Sequence, residues 1–299
     1  MSSNDRWGPL ESASLWRKIA VGMWSRPSEP TIFGTQTVLC EEMIDYLDQV
    51  YETTGEKITP TGFLVGVVAK FFEENPDLNV IMIGNEVRQR RDIDIFCQVS
   101  IPGDNGNQPD LSGVKLSRCD RFDLLEIADR LSRSVSSVRS GDDENLGSSR
   151  SALDLVPSRL KPAIMRLVET LTFEVPFDLD RLGIRSDPFG SAMVTSVGQF
   201  EVEQAFAPLV PASRCPLVVL PGAIRDGVVA VDGEPAVRKI MTVSVTADHR
   251  CYDGYQGGQF MRAINRMVAD PWSYFPPPSH WASANEPQRE PKETAPMSE

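Results

Sequence analysis

Acid–base chemistry near neutral pH falls to histidine, whose ring titrates near 6.5 when unperturbed, and the chain has only two histidines. His280 stands beside Trp281 in a proline-rich stretch and reads as a solvated bystander. His249 lies in Thr246-Ala247-Asp248-His249-Arg250-Cys251-Tyr252-Asp253-Gly254, where an apolar, β-branched strand passes through a turn into a helix. Such junctions present side chains to clefts. The H-x-x-x-D spacing of His249 and Asp253 is weak alone; it fits a proton-transfer site, with a structural histidine capped by a nearby carboxylate as the lesser alternative. Cys40, Cys97, Cys119, Cys215 and Cys251 are scattered singly with no CxxC pair, so no metal site is expected. No GxGxxG or GxxxxGK[ST] run is present, which argues against a phosphate-cradling loop and nucleotide hydrolysis.

The elements that must hold His249 follow from periodicity. Leu15, Trp16, Ile19, Ala20, Met23 and Trp24 recur at helical spacing until Pro27 and Pro30. Thr59-Pro60 is a helix start, with Phe63, Leu64, Val67, Val68, Phe71 and Phe72 behind it, ending before Asn75-Pro76. Further helices are expected over 120–138, over 157–173 and after Asp253-Gly254 as far as Pro271. Strand patterns cover Thr31–Leu39, Ile93–Ile101, Met193–Val197, Leu217–Leu220 and Lys239–Ala247. Helices and strands mix without a βαβ rhythm, which predicts an α+β fold with a mixed sheet rather than a doubly wound parallel one. Residues 1–14 read as a flexible start, 15–275 as one domain with an insertion over about 140–190, and 276–299 as a disordered tail, too polar to offset its ordering entropy. The helix over 157–173 reads as docked on its own domain, with a subunit-contact or lid role as the main alternative and a membrane-surface role as a lesser one.

The net charge of −12 would repel a polyanion, so nucleic acid is not an expected partner. The longest apolar runs fall far short of the roughly 20 residues that cross a bilayer, so no membrane span is expected. Five unpaired-looking cysteines and a start lacking an apolar signal region point to the cytoplasm.

The run Asp248-His249-Arg250-Cys251-Tyr252-Asp253-Gly254 is the DHRxxDG signature, and with it the chain resembles the catalytic domain of the dihydrolipoamide acyltransferases of 2-oxo acid dehydrogenase complexes, whose fold is shared with chloramphenicol acetyltransferase. Arg17-Lys18-Ile19-Ala20 with Met23 is similar to that family's opening helix, and Pro60 to Asn79 to its second. Gly190 to Gly198 is similar to its central GxxFTISNLG strand, Pro216 to Gly222 to its PPQxAILGVG stretch, and Asp232-Gly233-Glu234 leads the strand into His249. The resemblance runs from about Leu15 to Pro271.

The resemblance implies a chloramphenicol acetyltransferase-like sandwich and a CoA-dependent acyltransferase that moves an acyl group between CoA and a thiol of dihydrolipoyl type, or a hydroxyl. A thiol or hydroxyl attacking a thioester must lose its proton, and His249 is the implied base. Thr195, aligned on Gly198, is the implied hydroxyl for the oxyanion, and its neighbour Ser196 cannot face the same site because strand side chains alternate. Asp253 is implied in a structural ion pair that holds the His-bearing turn, with Arg17 as candidate partner and Lys18 or Arg26 as substitutes. No CoA-binding residue is assigned. Relatives carry lipoyl and subunit-binding domains ahead of the catalytic domain, whereas this chain begins almost at that domain. Covalently bound lipoyl is therefore not expected in it, and a lipoyl-bearing protein would act in trans. A homotrimer is expected, with His249 of one subunit facing Thr195 of the next. The alternative is a non-catalytic assembly homologue, against which the retained histidine argues.

Overall fold

The helix expected from Pro60 forms over Pro60–Glu74 and is apolar on nearly every side, so it can lie only inside a core. Thr59 caps it, its hydroxyl accepting the Gly62 N–H at 3.1 Å, and Pro60 fills the first position, where an N–H would go unpaired. Phe63, Leu64, Val67, Val68 and Phe72 behind it are wholly buried.

The computed structural model describes residues 30–83, 86–101, 110–140, 157, 160–173, 187–210 and 213–276. In chain order its elements are β1 (Thr31–Leu39), α1 (Glu41–Thr54), α2 (Pro60–Glu74), β2 (Val80–Ile83), β3 (Glu86–Gln89), β4 (Ile95–Ile101), β5 (Asp110–Leu116), α3 (Leu124–Arg139), α4 (Lys161–Phe173), β6 (Ala192–Val194), β7 (Leu217–Pro221), β8 (Arg225–Val231), β9 (Glu234–Asp248), α5 (Gly254–Ala269) and α6 (Pro271–Tyr274). The expected opening helix, Arg17, Lys18, Arg26, the tail with His280 and most of the insertion lie outside the described residues.

Seven strands form one mixed sheet in the order β1-β9-β7-β6-β4-β5, with β8 also paired to β9. β6 runs parallel to β4 and β7, and the other pairs are antiparallel, as an α+β fold requires and a doubly wound sheet does not. α2 packs against β6, β7, α3 and α5. Ile95, Cys97, Ala192, Val194, Leu217 and Val219 point into the large core shared with these helices. Their alternates Phe96, Met193 and Val218 join Cys215 in a smaller apolar cluster, as side-chain alternation dictates.

Several boundaries differ from expectation. β6 has three residues rather than five, because the backbone leaves the extended region at Val197 and turns into a 3-10 helix over Gly198–Phe200. β9 begins at Glu234, five residues early, because Asp232 (φ 51°) and Gly233 (φ 86°) supply the two left-handed residues of a tight hairpin to β8. α1 is an element that the sequence expectations lack. α4 does form, and Glu169 on it pairs with Arg214 at 2.7 Å, while the Arg214 guanidinium donates to the Met82 carbonyl of β2 at 3.1 Å. That ion pair ties α4 to the segment before β7, while Leu167 on its apolar face and Leu160 just ahead of it stay exposed. Among the described residues no helix is long and apolar enough to cross a membrane.

Candidate active site

His249 follows the last residue of β9, and its turn is fastened from several directions. The Asp248 carbonyl accepts the N–H groups of Cys251 (2.9 Å) and Tyr252 (3.0 Å), and the Asp248 N–H donates to the Pro216 carbonyl at 2.9 Å. The Asp248 carboxylate, almost fully buried, takes the Arg250 N–H at 2.9 Å and holds its guanidinium through contacts of 2.6 to 3.2 Å. That grip raises the Arg250 pKa still further. The Tyr252 hydroxyl reaches across to the Leu78 carbonyl at 3.0 Å. His249 itself is exposed, and its Nδ1 lies 3.0 Å from the Tyr252 carbonyl oxygen. A carbonyl only accepts, so Nδ1 carries the proton and the Nε2 lone pair is left to act as base.

Thr195 is positioned by strand register. Gly190 has φ of +75°, and a Cβ there would sit 2.5 Å from the Asp94 carbonyl oxygen. Only glycine permits that approach. It lets Ser191 N–H donate to the Asp94 carbonyl at 2.7 Å and sets Ile95 against Ala192, Phe96 against Met193 and Cys97 against Val194. One step on, Thr195 comes opposite Gln98. The Thr195 hydroxyl donates to Gln98 Oε1 at 2.9 Å, and the Thr195 N–H donates to the Val219 carbonyl at 3.0 Å. Thr195 is 8% exposed. Ser196, on the opposite side of the backbone, accepts the Gly198 N–H at 3.3 Å.

Gln98 and Ser196 line a cleft of about 610 Å³ that runs past the N-terminus of α2 and along α3, with Lys57 and Arg139 as its cations. Gln98 escaped the sequence reading. Its one visible signal is an amide set among Ile95, Phe96, Cys97 and Val99 in a strand otherwise committed to the core.

His249 and Thr195 do not meet within one chain. Val194 pairs with Val219 and Val219 with Val245, so Thr195 is level with Ser244, two strands across and five residues short of His249. A rise of about 3.3 Å per residue and a strand spacing of about 4.8 Å separate them by about 19 Å.

Asp253 is the N-cap of α5. Its carboxylate accepts the Tyr255 N–H at 2.7 Å, and Gln256 Oε1 takes the Asp253 N–H at 3.0 Å in a reciprocal capping box. Its expected ion-pair partner, Arg17, lies outside the described residues. Burial, with the Asp248 charge second, pushes the Cys251 thiol up to about 11, which keeps it protonated and unreactive at neutral pH.

Residues 188–275 match the model of the 2-oxoacid dehydrogenases acyltransferase catalytic domain. The dihydrolipoyllysine-residue acetyltransferase component of the pyruvate dehydrogenase complex of Rhizobium meliloti (strain 1021) is 33% identical over 82 residues, 27% of this chain and 18% of that protein. The same component of Rickettsia bellii (strain RML369-C) is 21% identical over 251 residues, 83% of this chain and 49% of that protein. The chain thus spans about half the length of the longer-matching relative. The cubic core of a pyruvate dehydrogenase multienzyme complex superposes with a TM-score of 0.59 at 16% identity, covering 92% of this chain and 97% of the core chain, so the fold is shared. Residues 188–275 are thus similar to the 2-oxoacid dehydrogenases acyltransferase catalytic domain, in a chain that shares its fold with the solved cubic core.

Proposed function

We propose that the protein is a CoA-dependent acyltransferase that passes an acyl group between CoA and a thiol of the dihydrolipoyl type, or a hydroxyl. The observation that carries this is His249 on its braced turn, with Nδ1 committed to the Tyr252 carbonyl and Nε2 turned into a base. As the acceptor S–H or O–H approaches the thioester carbonyl carbon, Nε2 takes its proton and the sulfur or oxygen forms the new bond. The carbonyl oxygen becomes an oxyanion, which the Thr195 hydroxyl stabilises. Collapse breaks the carbon–sulfur bond to CoA, and the imidazolium returns the proton to the departing thiolate. Because about 19 Å separates the two groups in one chain, His249 of one copy serves the Thr195 of another, and a homotrimer is the assembly we propose. Asp253 holds the entrance of α5 and with it the His-bearing turn.

The cleft beside Gln98 and Ser196 is the proposed seat of the acyl-CoA. Lys57, Arg139 and the N-terminus of α2 offer positive potential there in a protein of net charge −12, and CoA carries phosphates. A lipoyl-bearing protein is the proposed acceptor in trans, and a reducing cytoplasm suits five cysteines that are all free thiols. The test is release of CoA thiol from acetyl-CoA in the presence of dihydrolipoamide. Turnover is expected from the wild-type protein and not from His249→Ala. A wild-type protein inert toward every acyl-CoA and thiol or hydroxyl acceptor offered would refute the reading.

A further inference from the structure

The Thr195 hydroxyl has one proton, and in the structure that proton is given to Gln98 Oε1 at 2.9 Å. The oxyanion needs the same proton. A hydroxyl cannot donate one hydrogen fully in two directions, so whatever controls its direction controls the oxyanion site. Gln98 is half-buried, lines the cleft, and is held opposite Thr195 by the β4–β6 register rather than by a flexible loop. Its amide presents an acceptor and a donor of nearly equal size on a torsion that is broad and roughly two-fold. A half-turn replaces Oε1 by Nε2 at the same position. Nε2–H then donates to Thr195 Oγ1, and the hydroxyl proton is released from Gln98 to point elsewhere.

We propose that Gln98 is the positioning residue of the oxyanion donor: its amide holds the Thr195 proton when the acceptor end faces Thr195 and aims it at the reacting carbonyl when the donor end does. The inference rests on the acyltransferase reading above. It makes a prediction that simple packing does not. Gln98→Glu, nearly isosteric, can only accept while ionised and pins the proton away from the oxyanion. Gln98→Met, of similar size, bonds neither way and leaves the hydroxyl to rotate.

The experiment compares kcat and KM for acetyl-CoA, with thermal midpoints, in the wild-type protein, Gln98→Glu, Gln98→Met and Thr195→Val. Gln98→Glu should fall nearly as far as Thr195→Val, about 10² to 10³-fold in kcat, with KM within about threefold of wild type. Gln98→Met should lose only about three- to tenfold. The ratio of Gln98→Glu to wild-type kcat should climb as pH falls from 8 to 6, because a protonated carboxyl regains an O–H that can donate to Oγ1. A Gln98→Glu protein within threefold of wild type overturns the proposal, as does a Gln98→Met protein as impaired as Gln98→Glu. Should Gln98→Glu fail to fold, Gln98→Met decides alone, since an unchanged kcat or a loss beyond tenfold at full thermal stability contradicts it. A wild-type protein without turnover sinks the acyltransferase reading as well, and that is seen before any variant is compared.

Discussion

At the scale of single residues, exposure separates chemistry from stability. His249 is exposed and bonds only to its own turn, so His249→Ala should leave the thermal midpoint within the range of ordinary surface changes while lowering kcat about 10² to 10⁴-fold. Steady-state kinetics beside a melting curve checks both. Cys251, two residues away, should behave oppositely. With its thiol pushed up to about 11, alkylation by iodoacetamide at pH 7.5 should run about a hundredfold slower than for an unperturbed cysteine, and Cys251→Ser should keep wild-type turnover. Rapid labelling that abolishes activity would make it a participant. His249 was legible because a histidine between a β-branched strand and a capped helix is rare in a chain with two histidines. Gln98 was not, because its contact with Thr195 spans 97 positions and depends on where two strands align.

At the scale of elements, the start of α5 tests what Asp253 does. As an N-cap it should tolerate Asn, which accepts the Tyr255 N–H equally well, whereas Asp253→Ala should cost about 1 kcal/mol in urea unfolding. If Asp253→Asn loses as much as Asp253→Ala, its charge matters and the ion pair expected with Arg17 becomes the better account. β6 depends on Gly190 in the same local way. Gly190→Ala puts a methyl 2.5 Å from the Asp94 carbonyl at a left-handed φ, so it should lower both stability and kcat by displacing Thr195 from Gln98. Elements with strong local signals were readable: α2 from Thr59-Pro60 and its apolar run, α5 from Asp253-Gly254, and β1 to its very ends. α1 carries Met43, Tyr46, Leu47 and Val50 at helical spacing, but its starting residue Cys40 makes no side-chain cap, so no start signal announces it. β2, β3 and β8 are short or exposed strands whose pairing partners, not their composition, make them strands.

At the scale of the whole molecule, burial of thiols ties stability to alkaline pH. Cys40 and Cys119 are pushed up to about 12 and Cys215 to about 11, chiefly by desolvation, from an ordinary value of 9.0. Each folded value lies above the unfolded one, so this contribution is fully present below pH 9 and is lost as pH rises from 9 toward 12. Urea midpoints should therefore be level near neutrality and fall between pH 9 and 10.5. The separation of His249 from Thr195 gives a sharper consequence. Fold class and mixed sheet were legible from the order of helices and strands, yet no linear pattern discloses that His249, just past β9, lies about 19 Å from Thr195 in the same chain. If each site takes its base from one copy and its hydroxyl from the next around a closed ring, two dead variants should rescue each other. In an equal mixture of His249→Ala and Thr195→Val chains, unfolded and reassembled together, a site is intact only where a Thr195→Val chain supplies the histidine and a His249→Ala chain the threonine. Random assembly makes that about a quarter of all sites, whatever the number of copies in the ring. Recovery of about a quarter of wild-type kcat from two inactive preparations is the expected outcome, and no recovery, with mixed rings verified by mass, would place base and oxyanion donor in the same chain.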